Sequence, residues 1–210
     1  NHGFFYISNH GIDPLLMEQA FAVSKAFFEL PEVDKQAIAV DRNQRGWLAQ
    51  GMSRLQGSKT HDLKEVFFWG PHTEADDVDV LACKPLCAMN QWPKDFPRLY
   101  EDLIPYYDAV CQMARRVMAA VAVSLDQPAN FFDKAYAKPL ARGQMVYYPA
   151  STPQDDAEAR FGVAPHTDFG VLTVLLQDSS GGLQVRANSG DWIEAPPIPG
   201  TLVCNIGDLL

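Results

Sequence analysis

The sequence lacks the features that mark membrane proteins and nucleic-acid-binding proteins. Its 210 residues contain no run of 18 apolar residues, so we predict no membrane span, and no signal peptide pattern opens the chain. Basic residues are in deficit, because 17 Lys and Arg stand against 26 Asp and Glu for a net charge of -9. An acidic surface disfavours binding to nucleic acid or to an anionic membrane. We therefore expect a cytoplasmic protein without either partner.

Cysteine is also scarce, with four residues at Cys83, Cys87, Cys111 and Cys204. The pair Cys83 and Cys87 has the spacing of a half zinc site, but no second Cys or His pair follows at zinc-finger spacing. A structural zinc site is therefore not indicated. Free, reduced cysteines are the expected state in a cytoplasmic protein.

What the chain does contain is an ordinary globular balance, with 47% hydrophobic and 20% charged residues. Asp13 and the proline after it begin a helix that Pro31 ends. The apolar spacing from Leu99 to Leu125 predicts the longest helix. After residue 140, short strands and Gly or Pro turns favour a sandwich or barrel. We predict one continuous α+β domain: a mainly helical region with flanking strands over 1–135, then a β-rich region over 136–210.

The candidate site lies in the segment GVAPHTDFGVLTVLLQ, residues 162–177. His166 and Asp168 are two residues apart, immediately before the apolar run Val171–Leu176. In an extended strand, residues i and i+2 point to the same face, so an imidazole nitrogen and a carboxylate oxygen can converge. These are two of the three protein ligands of a non-haem iron site of the two-His-one-carboxylate type. Taken alone, the pair is more typical of a strand-edge surface than of a metal site.

Segments along the whole chain strengthen the iron interpretation. They are GFFYISNHGI (3–12), FFELP (27–31), RGWLAQG (45–51), DLKEVFFWG (62–70), NQWP (90–93), APHTDFGVLTVLLQD (164–178), GGLQV (181–185) and PPIPGTLVCNIGD (196–208). In this order they resemble the iron(II)/2-oxoglutarate-dependent dioxygenases of the isopenicillin N synthase-like group. The resemblance implies helices packed on a double-stranded β-helix (jelly-roll) core that is incomplete at the C-terminus. It also implies Fe(II), 2-oxoglutarate as co-substrate and O2, used to oxidise a small organic substrate by hydroxylation, desaturation or ring closure.

By position in these segments, His166 and Asp168 match the first two iron ligands of the family. Tyr148 matches a tyrosine that contacts 2-oxoglutarate in relatives. Phe169 follows the carboxylate ligand and is the candidate for substrate contact, although packing would equally place an aromatic side chain there. The resemblance implies no catalytic residues beyond the metal ligands, and we expect a monomer.

Two departures from the family pattern limit this hypothesis. The second histidine ligand and the Arg-x-Ser that pairs with 2-oxoglutarate follow the Asn-x-Gly-Asp segment in the family. Here that segment is Asn205–Asp208, and the chain ends at Leu210. We therefore expect the third ligand beyond Leu210 and regard the chain as a fragment lacking both termini, inactive as it stands. In addition, Gln144 replaces an arginine that many relatives carry.

Other interpretations remain open. A non-catalytic or degenerate family member could keep the fold for a binding or structural role. A zinc hydrolase or cupin-type metal site would show denser histidine spacing such as His-x-His, which this sequence lacks. The other histidines, His2, His10, His61 and His72, are better explained as surface or structural residues than as a third ligand.

Overall fold

The structure, a computed structural model, describes residues 3–53, 61–154 and 162–210. Its helices and antiparallel sheets confirm the α+β class. Contacts divide the chain into two compact units. Unit 1 contains residues Asn1–Phe21, Asp108–Tyr136 and Thr167–Leu210, and unit 2 contains Ala22–Tyr107 and Ala137–His166.

Four helices occur in the described residues: α1 (Pro14–Phe28), α2 (Glu32–Gln36), α3 (Val78–Leu81) and α4 (Arg98–Ser124). The start of α1 is confirmed, because Oδ1 of Asp13 accepts the backbone N–H of Leu15 over 2.9 Å. The long helix is also confirmed, and Pro105 lies inside it. The helices α2 and α3 were not predicted, because their four or five residues are too few to show an apolar period.

Eight strands occur in the same residues: β1 (Phe4–Ile7), β2 (Gly46–Leu48), β3 (Glu65–Trp69), β4 (Gly143–Tyr147), β5 (Leu172–Leu175), β6 (Gln184–Arg186), β7 (Trp192–Glu194) and β8 (Leu202–Ile206). All of the paired strands are antiparallel. The short strands predicted after residue 140 are present as β4 to β8.

Unit 1 holds a three-stranded sheet in the order β1-β8-β5 and a hairpin of β6 and β7. The central strand β8 is the most buried, with Leu202, Val203 and Cys204 almost fully enclosed. Its ladder with β5 pairs Leu172 with Ile206 and Thr173 with Asn205. The register therefore places the polar Asn205 directly beside the strand that follows the His-x-Asp segment.

Unit 2 holds a second sheet in the order β2-β3-β4. Aromatic side chains form its core: the ring centroid of Phe67 lies 5.0 Å from that of Phe27 and 5.6 Å from that of Trp92. The indole of Trp92 thus anchors the NQWP segment against this sheet. Aromatic side chains bury large apolar areas, so a few of them are enough to form the core of this three-stranded sheet.

Lys35, Trp47 and Glu65 form a buried polar cluster beside the same sheet. Lys35 Nζ donates to Glu65 Oε1 over 2.6 Å, and Trp47 Nε1 donates to the same oxygen over 2.5 Å. Lys35 also donates to the carbonyl of Phe28 over 2.9 Å. Because the buried charges of Lys35 and Glu65 face each other and are hydrogen-bonded, the cluster fixes α2 against β2 and β3.

Cys83, Cys87 and Cys204 are free cysteines, and Cys204 in β8 is fully buried. No helix in residues 3–53, 61–154 or 162–210 has both the length and the apolar character needed to cross a membrane.

Candidate functional site

His166 and Asp168 lie in an irregular segment that precedes β5, which begins only at Leu172. The expectation that strand alternation orients the two side chains is therefore wrong for this segment. Hydrogen bonds from other parts of the chain hold it instead. His166 belongs to unit 2 and Asp168 to unit 1.

The imidazole of His166 is oriented by the main chain two residues before it. Its Nδ1 lies 2.8 Å from the carbonyl oxygen of Ala164. A carbonyl oxygen only accepts hydrogen bonds, so the proton of the neutral ring must sit on Nδ1. Nε2 then carries the lone pair, as in histidines that bind metals through Nε2 and donate their other N–H to a carbonyl.

The same residue, Ala164, is held from its other side by a buried carboxylate. Its backbone N–H donates to Oδ1 of Asp62 over 3.1 Å. Asp62 is only 2% exposed; Ser53 Oγ donates to its Oδ2 over 3.1 Å, and Lys64 Nζ lies 3.2 Å from that oxygen. Asp62 was not predicted as a site residue, although it lies in the DLKE segment that carries part of the resemblance.

Tyr148 contacts the segment that leads to His166. It follows β4 and is half exposed, and a Cβ added at Gly162 would lie 2.7 Å from its Cδ1. The absence of a side chain at Gly162 therefore makes room for the ring. Burial of the phenol, with a further contribution from the Asp62 carboxylate, raises the pKa of Tyr148. The hydroxyl thus stays protonated and able to donate hydrogen bonds at neutral pH.

The neighbouring Tyr147 has a different environment. Its ring stacks on Phe28 with centroids 5.6 Å apart, and it pairs with Glu65 in the ladder of β3 and β4. Of the two tyrosines in the YYP segment, Tyr147 therefore serves packing, whereas Tyr148 lies against the segment of His166.

In unit 1, two donors converge on one oxygen of Asp168. Thr173 Oγ1 donates to Oδ2 over 2.6 Å, and Asn205 Nδ2 donates to the same atom over 2.8 Å. Thr173 belongs to β5 and Asn205 to β8, where the ladder pairs them. The sheet register therefore sets the orientation of the carboxylate. A carboxylate that binds a metal through one oxygen is commonly hydrogen-bonded at the other.

The main chain around Asp168 is held by the end of β8. The backbone N–H of Asp208 donates to the carbonyl of Asp168 over 2.8 Å, and Thr167 Oγ1 donates to Oδ2 of Asp208 over 2.7 Å. A Cβ at Gly207 would collide with the carbonyls of Gly170 and Asp168. This close approach explains the glycine in the Asn-x-Gly-Asp segment.

Phe169, the candidate for substrate contact, is 83% exposed. In the part of the chain that the structure describes, its ring is therefore not packed in a core.

Two of the remaining histidines have contacts that account for them. Buried His10 accepts the backbone N–H of Ile12 at Nδ1 over 3.2 Å, and exposed His72 lies 2.9 Å from Glu74. His61 is exposed, and His2 lies outside the described residues. Within residues 3–53, 61–154 and 162–210, no group of three or more His, Cys, Asp or Glu side chains could hold a metal ion.

Gln144, at the family's arginine position, lies opposite Phe68 in the ladder of β3 and β4. The guanidinium of Arg142 stands over the ring of that same Phe68, 5.2 Å from its centroid. Burial lowers the pKa of Arg142, and the charge of Arg45 adds to the effect. Arg142, two residues before Gln144, therefore places a cation against Phe68, the residue that pairs with Gln144 across the two strands.

Each of the two side chains, taken by itself, is of a kind that binds a first-row divalent metal such as Fe(II). A neutral imidazole whose Nδ1–H is bonded to a carbonyl and a carboxylate with two donors on one oxygen are both typical metal ligands. Both side chains are oriented by hydrogen bonds within the protein, which lowers the cost of ordering them when a metal binds.

Two family models match the chain. Residues 1–95 match the model described as non-haem dioxygenase in morphine synthesis N-terminal, and residues 142–210 match the model described as 2OG-Fe(II) oxygenase superfamily. The second range contains His166, Asp168, Tyr148 and Phe169.

Curated relatives carry names of the same kind. The chain is 36% identical over 233 residues to a probable iron/ascorbate oxidoreductase of Dictyostelium discoideum, covering 100% of the chain and 63% of the relative. It is 34% identical over 215 residues to a 2-oxoglutarate-Fe(II) type oxidoreductase of Aspergillus fumigatus, covering 100% and 64%. The chain thus spans slightly less than two thirds of the length of these relatives.

Solved structures with the same fold include a full-length Neurospora crassa protein in complex with alpha-KG. It matches with a TM-score of 0.85 and 30% identity, over 100% of this chain and 65% of that one. The same Neurospora protein has also been solved with alpha-KG and thymine. A putative 2OG-Fe(II) oxygenase family protein from Caulobacter crescentus matches with a TM-score of 0.84 and 30% identity, over 100% and 66%. The fold described above is therefore that of a known group of oxygenase structures.

Proposed function

The chain belongs to the 2OG-Fe(II) oxygenase superfamily, and from this membership we propose that the whole protein is a non-haem Fe(II), 2-oxoglutarate-dependent dioxygenase. It oxidises a small organic substrate by hydroxylation, desaturation or ring closure. Residues 136–210 form the first part of its double-stranded β-helix core, and the helices of residues 1–135 pack on that core. The protein is a cytoplasmic monomer.

In this proposal, His166 binds the metal through Nε2 and Asp168 through Oδ1. Tyr148 contacts 2-oxoglutarate through its neutral phenol, and the exposed ring of Phe169 faces the substrate. When bound, Fe(II) together with 2-oxoglutarate supplies the oxidising chemistry with O2, which no amino-acid side chain can perform. The residues of the chain bind, orient and shield the reacting groups.

The observation that carries the proposal is the set of hydrogen bonds at the two ligands. The carbonyl of Ala164 fixes the tautomer of His166, and Thr173 and Asn205 both donate to one oxygen of Asp168. A pair of surface residues would need no such support. Because two protein ligands hold Fe(II) less firmly than three, residues 1–210 alone are proposed to be inactive, with the third ligand supplied by residues outside them.

The test is the conversion of 2-oxoglutarate to succinate by the full-length protein with Fe(II). We expect turnover by the wild type and its loss in His166→Ala and in Asp168→Ala. His72→Ala is the matched histidine control, since His72 is exposed and bonded to Glu74, and it should retain turnover. Full turnover by Asp168→Ala would disprove the ligand assignment. A wild-type protein that binds Fe(II) but yields no succinate would favour a non-catalytic family member.

A further inference from the structure

The buried carboxylate of Asp62 lies at the start of a short path to His166. Its Oδ1 accepts the backbone N–H of Ala164 over 3.1 Å. The carbonyl of the same Ala164 accepts the Nδ1–H of His166, with 2.8 Å between nitrogen and oxygen. Two hydrogen bonds and one residue thus connect a fixed carboxylate with the imidazole ring.

Asp62 is itself held firmly. Its Oδ2 accepts Ser53 Oγ over 3.1 Å and lies 3.2 Å from Lys64 Nζ, and its backbone N–H donates to the carbonyl of Ser53 over 2.9 Å. The carboxylate is 2% exposed, so Lys64 rather than water offsets its charge. A carboxylate fixed in this way makes a stronger bond to an amide N–H than a neutral acceptor would.

The segment that receives this bond has little other regular support. Residues 162–168 belong to no helix or strand, so no ladder of backbone hydrogen bonds sets their conformation. Asp62 fixes the peptide before Ala164, and the ring of Tyr148 closes against Gly162 two residues earlier. Both contacts act on the backbone immediately ahead of His166.

We propose that Asp62 is a positioning residue for His166: it holds the peptide of Ala164 so that the carbonyl of that residue fixes the tautomer and the ring plane of the imidazole. This inference deepens the proposed function and rests on it, because it gives the ring a purpose as a metal ligand. Asp62 does not touch the metal, and its effect passes through the backbone.

The experiment compares Asp62→Ala, Asp62→Asn and Glu65→Gln in the full-length protein. The amide oxygen introduced by Asp62→Asn can still accept the N–H of Ala164, whereas the methyl group introduced by Asp62→Ala cannot. Glu65→Gln is the matched control, because Glu65 is a buried carboxylate three residues away that bonds to Lys35 and Trp47 and not to Ala164. It should reduce stability without moving His166.

The first readout is the imidazole of His166 in the metal-free protein, followed by nitrogen-15 NMR. Wild type, Asp62→Asn and Glu65→Gln should show the Nδ1–H tautomer, and Asp62→Ala should show a mixture of tautomers. The second readout is Co(II) affinity, with the visible spectrum of the bound ion. We expect Asp62→Ala to lose about tenfold or more in affinity, Asp62→Asn to lose less, and Glu65→Gln to match the wild type.

A folded Asp62→Ala protein with wild-type tautomer, Co(II) affinity and spectrum would overturn the inference. If Asp62→Ala fails to fold, the comparison of Asp62→Asn with Glu65→Gln decides, since equal losses of Co(II) affinity in both would reduce Asp62 to a stabilising role. The proposed function and the positioning role can also be separated. If the wild-type protein binds no Co(II), the proposed function is disproved. If Asp62→Ala nevertheless shows a mixture of His166 tautomers where the wild type shows one, the positioning role is still supported.

Discussion

Asn205 Nδ2 donates a hydrogen bond of 2.8 Å to Oδ2 of Asp168, across 37 positions of the chain. Asn205 lies in the central strand of its sheet and is only 7% exposed. A buried amide that donates to a carboxylate restricts the rotation of that carboxylate. The register of β8 therefore determines how the proposed ligand is presented to a metal.

Removing this donor should weaken metal binding. In the full-length protein we expect Asn205→Ala to lower Fe(II) or Co(II) affinity about tenfold or more and to reduce the free energy of unfolding by about 1–3 kcal/mol. Asn90→Ala is the control, because Asn90 bonds to the main chain of Gly70 and not to Asp168. It should reduce stability alone. Metal affinity is measured by titration calorimetry. An affinity of Asn205→Ala equal to that of the wild type would contradict the role of Asn205 in orienting Asp168.

Thr173→Val tests the second donor with almost no change in shape. The variant removes the hydroxyl that donates to Asp168 Oδ2 over 2.6 Å and keeps the volume of the side chain in β5. We expect a loss of metal affinity similar to that of Asn205→Ala. Thr201→Val removes a hydroxyl that donates to the carbonyl of Ile198, so its affinity should stay at the wild-type value. Equal affinities of the two threonine variants would count against the assignment.

Tyr148 should contribute to the binding of 2-oxoglutarate through its hydroxyl. We expect Tyr148→Phe to raise the dissociation constant about fivefold, the equivalent of one hydrogen bond of about 1 kcal/mol. Gly162→Ala should have an effect of the same sign, because the added methyl group displaces the ring. Tyr147→Phe keeps the stack on Phe28 and serves as the control. Binding is measured on the Fe(II) protein without O2.

Cys204 should make stability fall in alkaline solution. Burial raises its pKa from 9.0 to about 11. Between these values the unfolded chain has released the thiol proton while the folded chain retains it, so the unfolded state binds fewer protons and stability decreases as pH rises. The slope should approach about 1.4 kcal/mol per pH unit at most. Chemical denaturation between pH 8 and 10 measures it.

Cys204→Ala is the matched variant for this slope, since it removes the thiol from a fully buried position in β8. The decline in stability between pH 9 and 10 should be smaller in the variant than in the wild type. Identical slopes would show that other groups cause the decline. Half-buried Tyr106, whose pKa is also raised by desolvation, contributes only at higher pH.

Sequence patterns predicted the elements whose signals are local. The apolar period from Leu99 to Leu125 located α4 to within one residue at each end, because an amphipathic helix of this length shows its buried face in the spacing of its own residues. The Gly and Pro turns after residue 140 indicated the short strands between them in the same way, β8 among them. The spacing of His166 and Asp168 indicated a candidate metal site, and the resemblance supplied its chemistry.

Long-range contacts could not be predicted in this way. Asp62 and Ala164 are 102 positions apart, and nothing in the DLKE segment indicates which amide its first carboxylate will accept. The orientation of Asp168 likewise depends on the pairing of β5 with β8, which brings Thr173 beside Asn205. A shift of one residue in that register would turn Asn205 to the other face of the sheet.

The sequence by itself thus determined the long helix, the short strands after residue 140, the net negative charge, the His-x-Asp segment and the family, because each depends on local pattern or composition. Only the tertiary structure decided which nitrogen of His166 holds a proton, which oxygen of Asp168 accepts hydrogen bonds, and that a buried Asp62 fixes the backbone before His166. These properties depend on distances between atoms that are far apart in the chain, and packing alone sets those distances.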